Sequence, residues 1–135
     1  MNKSFRKLVI STASIIMGVA GIILIFAPDL IVLSLATNYN IHYQSFLQIT
    51  GAAYFGFAAF NWMNRSRPTG GIYNRPLVIS NFVHWLIGSL VSIKYLISIE
   101  SNHKVFIGIS IIYLLFFILF AIILFRSPEI ETSSR

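Results

Sequence analysis

Few side chains in this 135-residue sequence could do chemistry in an apolar setting, and they cluster around one histidine. His84 sits in a long apolar run, with Asn81 three residues before it on the same helical face; Asn61 closes the preceding run. An imidazole can donate and accept a proton, and a carboxamide beside it can fix its tautomer or hold a substrate oxygen. An ionisable group at membrane depth is a functional-site hypothesis in its own right. The same imidazole, neutral and hydrogen-bonded to Asn81, Asn61 or a backbone carbonyl, would serve equally well as glue between helices. Residue types alone leave both readings open.

A second constellation lies between Asn61 and Asn81. Arg65, Arg67 and Arg75 flank Gly70-Gly71 in a short polar connection. Paired glycines permit a turn whose amides can cradle an anion, and three guanidiniums nearby suit a lipid phosphate or acidic headgroup. Orientation in the membrane also calls for such arginines. No P-loop pattern accompanies them, so nucleotide binding has no support.

Much other chemistry is excluded. The four acids are Asp29, Glu100, Glu129 and Glu131, none of them inside an apolar run, which removes carboxylate proton relays and two-carboxylate mechanisms from the membrane. There is no cysteine, so disulfides, thiolate metal sites and a thiol nucleophile are out. His42, His84 and His103 are scattered without metal-ligand spacing, and no nucleophile elbow is present. We therefore expect no metal, no cofactor and no catalytic residue beyond the weak candidate His84.

The elements that must position these residues follow from composition. Hydrophobic residues make up 56% of the chain and charged residues 10%, less than half the roughly 25% of a soluble domain. That excludes a soluble enzyme, a disordered regulator and a fibrous repeat. Four runs, 8–27, 45–63, 77–98 and 105–125, each approach the roughly 20 apolar residues that a span needs. Without the period-two alternation of a barrel, they must be helices. Residues 1–126 are expected to form a single four-span domain, and 127–135 a disordered cytoplasmic tail. The first run is longer than a signal-peptide core, so it is expected to stay as a span. Between the first two spans, Pro28-Asp29 predicts a short helix to about Leu35, lying in the outer membrane–water interface.

The net charge of +6 then becomes a topology map rather than a hint of nucleic acid. Lys3, Arg6 and Lys7 precede the first run, Arg65, Arg67 and Arg75 fill the second loop, and Arg126 follows the fourth. The first loop, 28–44, has no Lys or Arg, so both termini are expected inside. Lys94, near the outer end of its run, is expected to snorkel to the headgroups.

Packing stripes are visible too. The first span aligns Ser11, Ser14 and Gly18. The second aligns Gln44, Gln48, Gly51, Phe55, Ala58 and Trp62, beside an Ala52/Gly56 pair. The third aligns Asn81, His84, Trp85, Gly88, Ser92 and Tyr95. The fourth is apolar all round and reads as the weakest place for chemistry. The stripes predict a four-helix bundle with a modestly polar seam.

A first span ending in FAPDLIVLSL, then FLQITGAAYFGFAAFNWMNRSRP, then a third span bearing His84, resembles small bacterial four-helix membrane proteins of the DUF4345-like group and, more distantly, the DoxX-like superfamily. The resemblance rests on Pro28, on Gly51, Tyr54 and Gly56, and on His84. It implies a bacterial cytoplasmic-membrane location and little established chemistry. Together these readings favour a non-enzymatic assembly protein, or one that contacts lipids and partners. Its partners would be membrane lipids, a second copy or another membrane protein, and no nucleic acid. Two alternatives are an oligomeric transporter or channel component lined by Gln48, Tyr54, Asn81, His84 and Ser92, and a small membrane enzyme acting on a lipid or quinone-like substrate through His84.

Overall fold

A computed structural model of the chain describes residues 3–35, 41–67, 75–98 and 104–126. Among these residues there are five helices and no strand: α1 (Lys3–Phe26), α2 (Pro28–Leu35), α3 (Ile41–Asn64), α4 (Arg75–Ser98) and α5 (Lys104–Phe125). The proposed tail, 127–135, lies outside the described residues. Each apolar run falls on one long helix, the first overrunning the end of α1 by Ala27 alone.

Helix ends follow from local chemistry. The last α1-type hydrogen bond runs from Ala27 N to Ile23 O at 2.9 Å. Pro28 has no N–H to continue the ladder, and its ring would clash with the carbonyl four residues back. It opens α2 instead, where its fixed φ suits the first position and Asp29 meets the positive end of the helix dipole. The expected short helix after the first run is therefore present, with the expected end at Leu35.

Hydroxyls inside the helices are satisfied locally. Thr12, Ser45, Thr50, Ser98 and Ser110 each donate to the carbonyl four residues earlier. Such back-bonding spares an apolar medium an unpaired polar group.

The chain divides into two compact units, one of Ser4–Ser66 and one of Met1–Lys3 with Arg67–Arg135. In the first, α1 and α3 run antiparallel. Ser14 donates to Ala58 O at 2.6 Å, and Gln48 Nε2 reaches Ile25 O at 3.3 Å. Between these contacts the backbones meet at glycine: a Cβ on Gly21 would lie 2.8 Å from Phe55 N and 2.9 Å from Gly51 O. A Cβ on Gly51 would lie 2.9 Å from Gly21 O. Of the expected stripe, Ser14, Gly51 and Ala58 are buried, whereas Phe55 and Trp62 are exposed. The Ala52/Gly56 pair does not serve this contact, because a Cβ on Gly56 would meet nothing within 4 Å.

In the second unit, α4 and α5 pair antiparallel through a ladder of rings. Phe82 meets Phe125 and Phe117, Trp85 meets Phe116 at 4.7 Å, and Tyr95 meets Phe106 at 4.1 Å. Aromatic pairs at such separations add to plain burial. Lys94 is exposed, as snorkelling requires.

Three helices, α1, α4 and α5, are long and apolar enough to cross a membrane. α3 matches α1 and α4 in length, at 24 residues, but carries His42, Gln44, Gln48, Thr50, Asn61 and Asn64, which dilute its apolar character. Large apolar side chains are exposed along all four long helices, among them Leu8, Ile15, Phe46, Met63, Leu90, Ile97, Ile111 and Leu115. Apolar exposure on this scale suits lipid, not water.

The glycine contact gives a paired prediction. Gly21→Ala presses a methyl onto α3 backbone that cannot yield without separating the helices. We expect a loss of about 1–3 kcal/mol in detergent unfolding. Gly56→Ala, made in open space, should stay within about 0.5 kcal/mol of the parent or stabilise it slightly. Equal losses in the two variants would show that the close approach at Gly21 is not what holds α1 to α3.

Candidate functional site

The candidate residues fall in both units, and each group is built by its own helix pair. In the first unit, Asn61 is 0% exposed at the end of α3. Its Nδ2 approaches Met17 Sδ of α1 at 3.8 Å, a weak bond to a soft acceptor. The amide thus ties the helix pair together next to the Ser14 contact.

Just beyond Asn61, α3 ends on a pair of interacting side chains. The Arg65 guanidinium lies over the Trp62 ring at 3.8 Å and also donates to the Trp62 carbonyl. A cation at a helix C-terminus meets the negative end of the dipole, and the indole face supplies a cation–π contact. Arg65 is therefore at least partly a helix cap. Arg67 and Arg75 are exposed, Arg75 as the first residue of α4. Gly70 and Gly71 lie outside the described residues.

In the second unit, Asn81 is 0% exposed and donates to Leu77 O at 2.9 Å, a bond within its own helix. One turn further on, three polar rings gather. His84 meets Trp85 edge-on at 5.1 Å and Tyr113 of α5 at 5.7 Å. Trp85 also meets Tyr113 at 5.0 Å. Trp85 is 2% exposed, while His84 and Tyr113 are half-buried and form the open edge of the cluster. The Tyr113 ring occupies the space where Gly88 lacks a Cβ. A carbon there would overlap the ring, so glycine is required for this seating.

His84 therefore stands in an aromatic cluster with Trp85 and Tyr113. The expected α4 stripe is recovered: Asn81, Trp85 and Ser92 are buried, Gly88 receives Tyr113, and Tyr95 stacks on Phe106. Tyr113 and Phe116 were not foreseen, because α5 reads as uniformly apolar. The available signal was the glycine at 88, a vacancy on α4 that a facing ring must fill. Gln48 bonds α1 backbone, and Ser92 bonds Ser89 O at 3.1 Å. Tyr54 is half-buried in the first unit. Among the described residues no three His, Asp or Glu side chains converge.

Comparison with family models, characterised proteins and solved structures gives no match. The reading of the site rests on its own geometry.

The Gly88–Tyr113 seat predicts a non-additive pair. Gly88→Ala should destabilise by about 1–3 kcal/mol through overpacking. The same change in a Tyr113→Ala background should cost little, because the clashing ring is gone. Chemical unfolding of the four proteins reads the coupling directly; strict additivity would place Tyr113 elsewhere.

Proposed function

We propose that the chain is a four-span protein of the bacterial cytoplasmic membrane with both termini inside, a non-enzymatic helix bundle that contacts anionic lipid headgroups and partner proteins. The observation that carries this reading is the placement of charge in the antiparallel pairs. In the first unit, Arg6 and Lys7 of α1 and Arg65 after α3 fall at the same end. The other end offers Asp29 and no Lys or Arg within 28–44. In the second, Arg75 and Arg126 share one end, and Lys94 and Lys104 share the other. The gathering in the first unit follows the positive-inside rule.

The membrane placement of α3 is supported by its partner. From Ala58 opposite Ser14 to Gln48 opposite Ile25, α3 runs beside a helix apolar enough to span. Its polar side chains are tolerable at that depth because they bond protein: Gln48 the α1 backbone, Asn61 the Met17 sulfur. The resemblance to DUF4345-like and, more distantly, DoxX-like bacterial proteins accords with the location. Arg67 and Arg75 stand exposed, so they can meet a headgroup phosphate, with Arg65 braced on Trp62 beside them in sequence. A second copy of the chain or another membrane protein would cover part of the exposed apolar surface.

A second reading, a small-molecule transporter component or a membrane enzyme acting on a lipid or quinone-like substrate, is favoured by one observation. His84 sits half-buried at the open edge of a ring cluster, where a substrate could meet it. His84→Phe separates the two, since a non-enzymatic protein should keep its fold and cellular phenotype.

Native mass spectrometry in mild detergent tests the lipid reading. Each basic side chain near an anionic surface contributes about 1 kcal/mol. The Arg65→Gln/Arg67→Gln/Arg75→Gln variant should therefore retain phosphatidylglycerol on the order of a hundredfold less well. A terminal reporter fusion verifies that orientation is unchanged. Undiminished retention would remove the arginines from lipid contact.

A further inference from the structure

We propose that the cluster at the middle of α4 binds an uncharged, planar, membrane-dissolved molecule through a carbonyl oxygen held by the Trp85 indole N–H. This inference is independent of the headgroup reading, which concerns the arginines.

Trp85 is 2% exposed, yet its Nε1 has no hydrogen-bond partner. The indole N–H can only donate. Buried donors are nearly always paired, and leaving one unmet is costly in an apolar interior. The buried Ser14, Asn61, Asn81, Ser89, Ser92 and Ser110 side chains each make a hydrogen bond, and the Trp85 indole N–H differs from them in this. A ligand carbonyl would supply the acceptor that this N–H lacks.

The surroundings define the rest of the ligand. The rings nearest Trp85 are Phe116 at 4.7 Å, Tyr113 at 5.0 Å and His84 at 5.1 Å. Their flat faces favour a planar group. Neither α4 between Arg75 and Lys94 nor α5 between Lys104 and Arg126 carries a charged residue, so nothing there would compensate an ion. Trp85 lies about 15 Å along the helix from Arg75, near the middle of a bilayer core, too deep for a phospholipid headgroup. Access is through the half-buried edge. On that edge Tyr113, half-buried and seated on Gly88, lies 5.0 Å from Trp85.

The titration uses the native chain, and the one variant needed serves only to assign resonances. The protein has two tryptophans, Trp85 and the exposed Trp62, giving two indole N–H resonances that Trp62→Phe assigns. Labelled protein in nanodiscs is titrated with decanophenone and, separately, with decylbenzene, which has a methylene in place of the ketone. We expect a saturable downfield shift of the Trp85 indole proton with decanophenone, an unmoved Trp62, and about tenfold weaker binding of decylbenzene. Equal responses to the two probes would mean apolar partitioning, and parallel movement of Trp62 would mean a bulk membrane effect. No response to either would mean that the indole is satisfied by resident water or not at all. Each of these three results overturns the proposal.

Discussion

A peptide group in hydrocarbon has no water to bond, so every N–H and C=O there must find a partner within the protein. Most of what is seen in this chain answers that constraint. It makes the apolar runs helical, and it turns serine and threonine hydroxyls back onto their own helices at residues 12, 45, 50, 98 and 110. It also removes the ordinary drive for association, since lipid tails are as apolar as leucine. Helices must then be held by close approach and by a few polar bonds. Gly21 against Gly51 supplies the approach, and Ser14, Gln48 and Asn61 supply the bonds.

The two helix pairs solve the same problem by different means. α1 and α3 bring backbones together at glycine and cross-link them with small polar groups. α4 and α5 interlock rings, with Gly88 providing the one recess in which Tyr113 can lie. A glycine contact depends on the absence of atoms, and a ring ladder depends on their shape. Substitutions at the two kinds of interface should therefore fail in different ways, the first by forcing backbones apart and the second by displacing a side chain.

The helices were legible in the sequence because hydrophobic run length and the Pro28-Asp29 signal are local properties. The pairing of Ser14, Gly51 and Ala58 was legible in part, because small and polar residues at helical spacing mark one face. The same rule also flags Gly56, which faces open space, and Trp62, which is exposed, while Phe55 meets Gly21 with its backbone and leaves its ring exposed; periodicity defines a face without saying which neighbour covers it. Tyr113 escaped for a related reason. In a helix apolar all round, no contrast marks the side that meets a partner, and the recess that receives the ring belongs to α4. Arg65 illustrates a further limit. Its charge was read as orientation and lipid contact, while its cap on Trp62 depends on the exact end of α3.

The central claim is that α3 crosses the bilayer beside α1 despite its diluted apolar character. The absence of native cysteine makes single-cysteine labelling direct. Asn40→Cys and Thr69→Cys flank α3 in sequence, and each is exposed in spheroplasts to a membrane-impermeant maleimide. If α3 crosses, position 40 is labelled in intact spheroplasts and position 69 only after permeabilisation. Labelling of both positions from the same side would contradict the crossing.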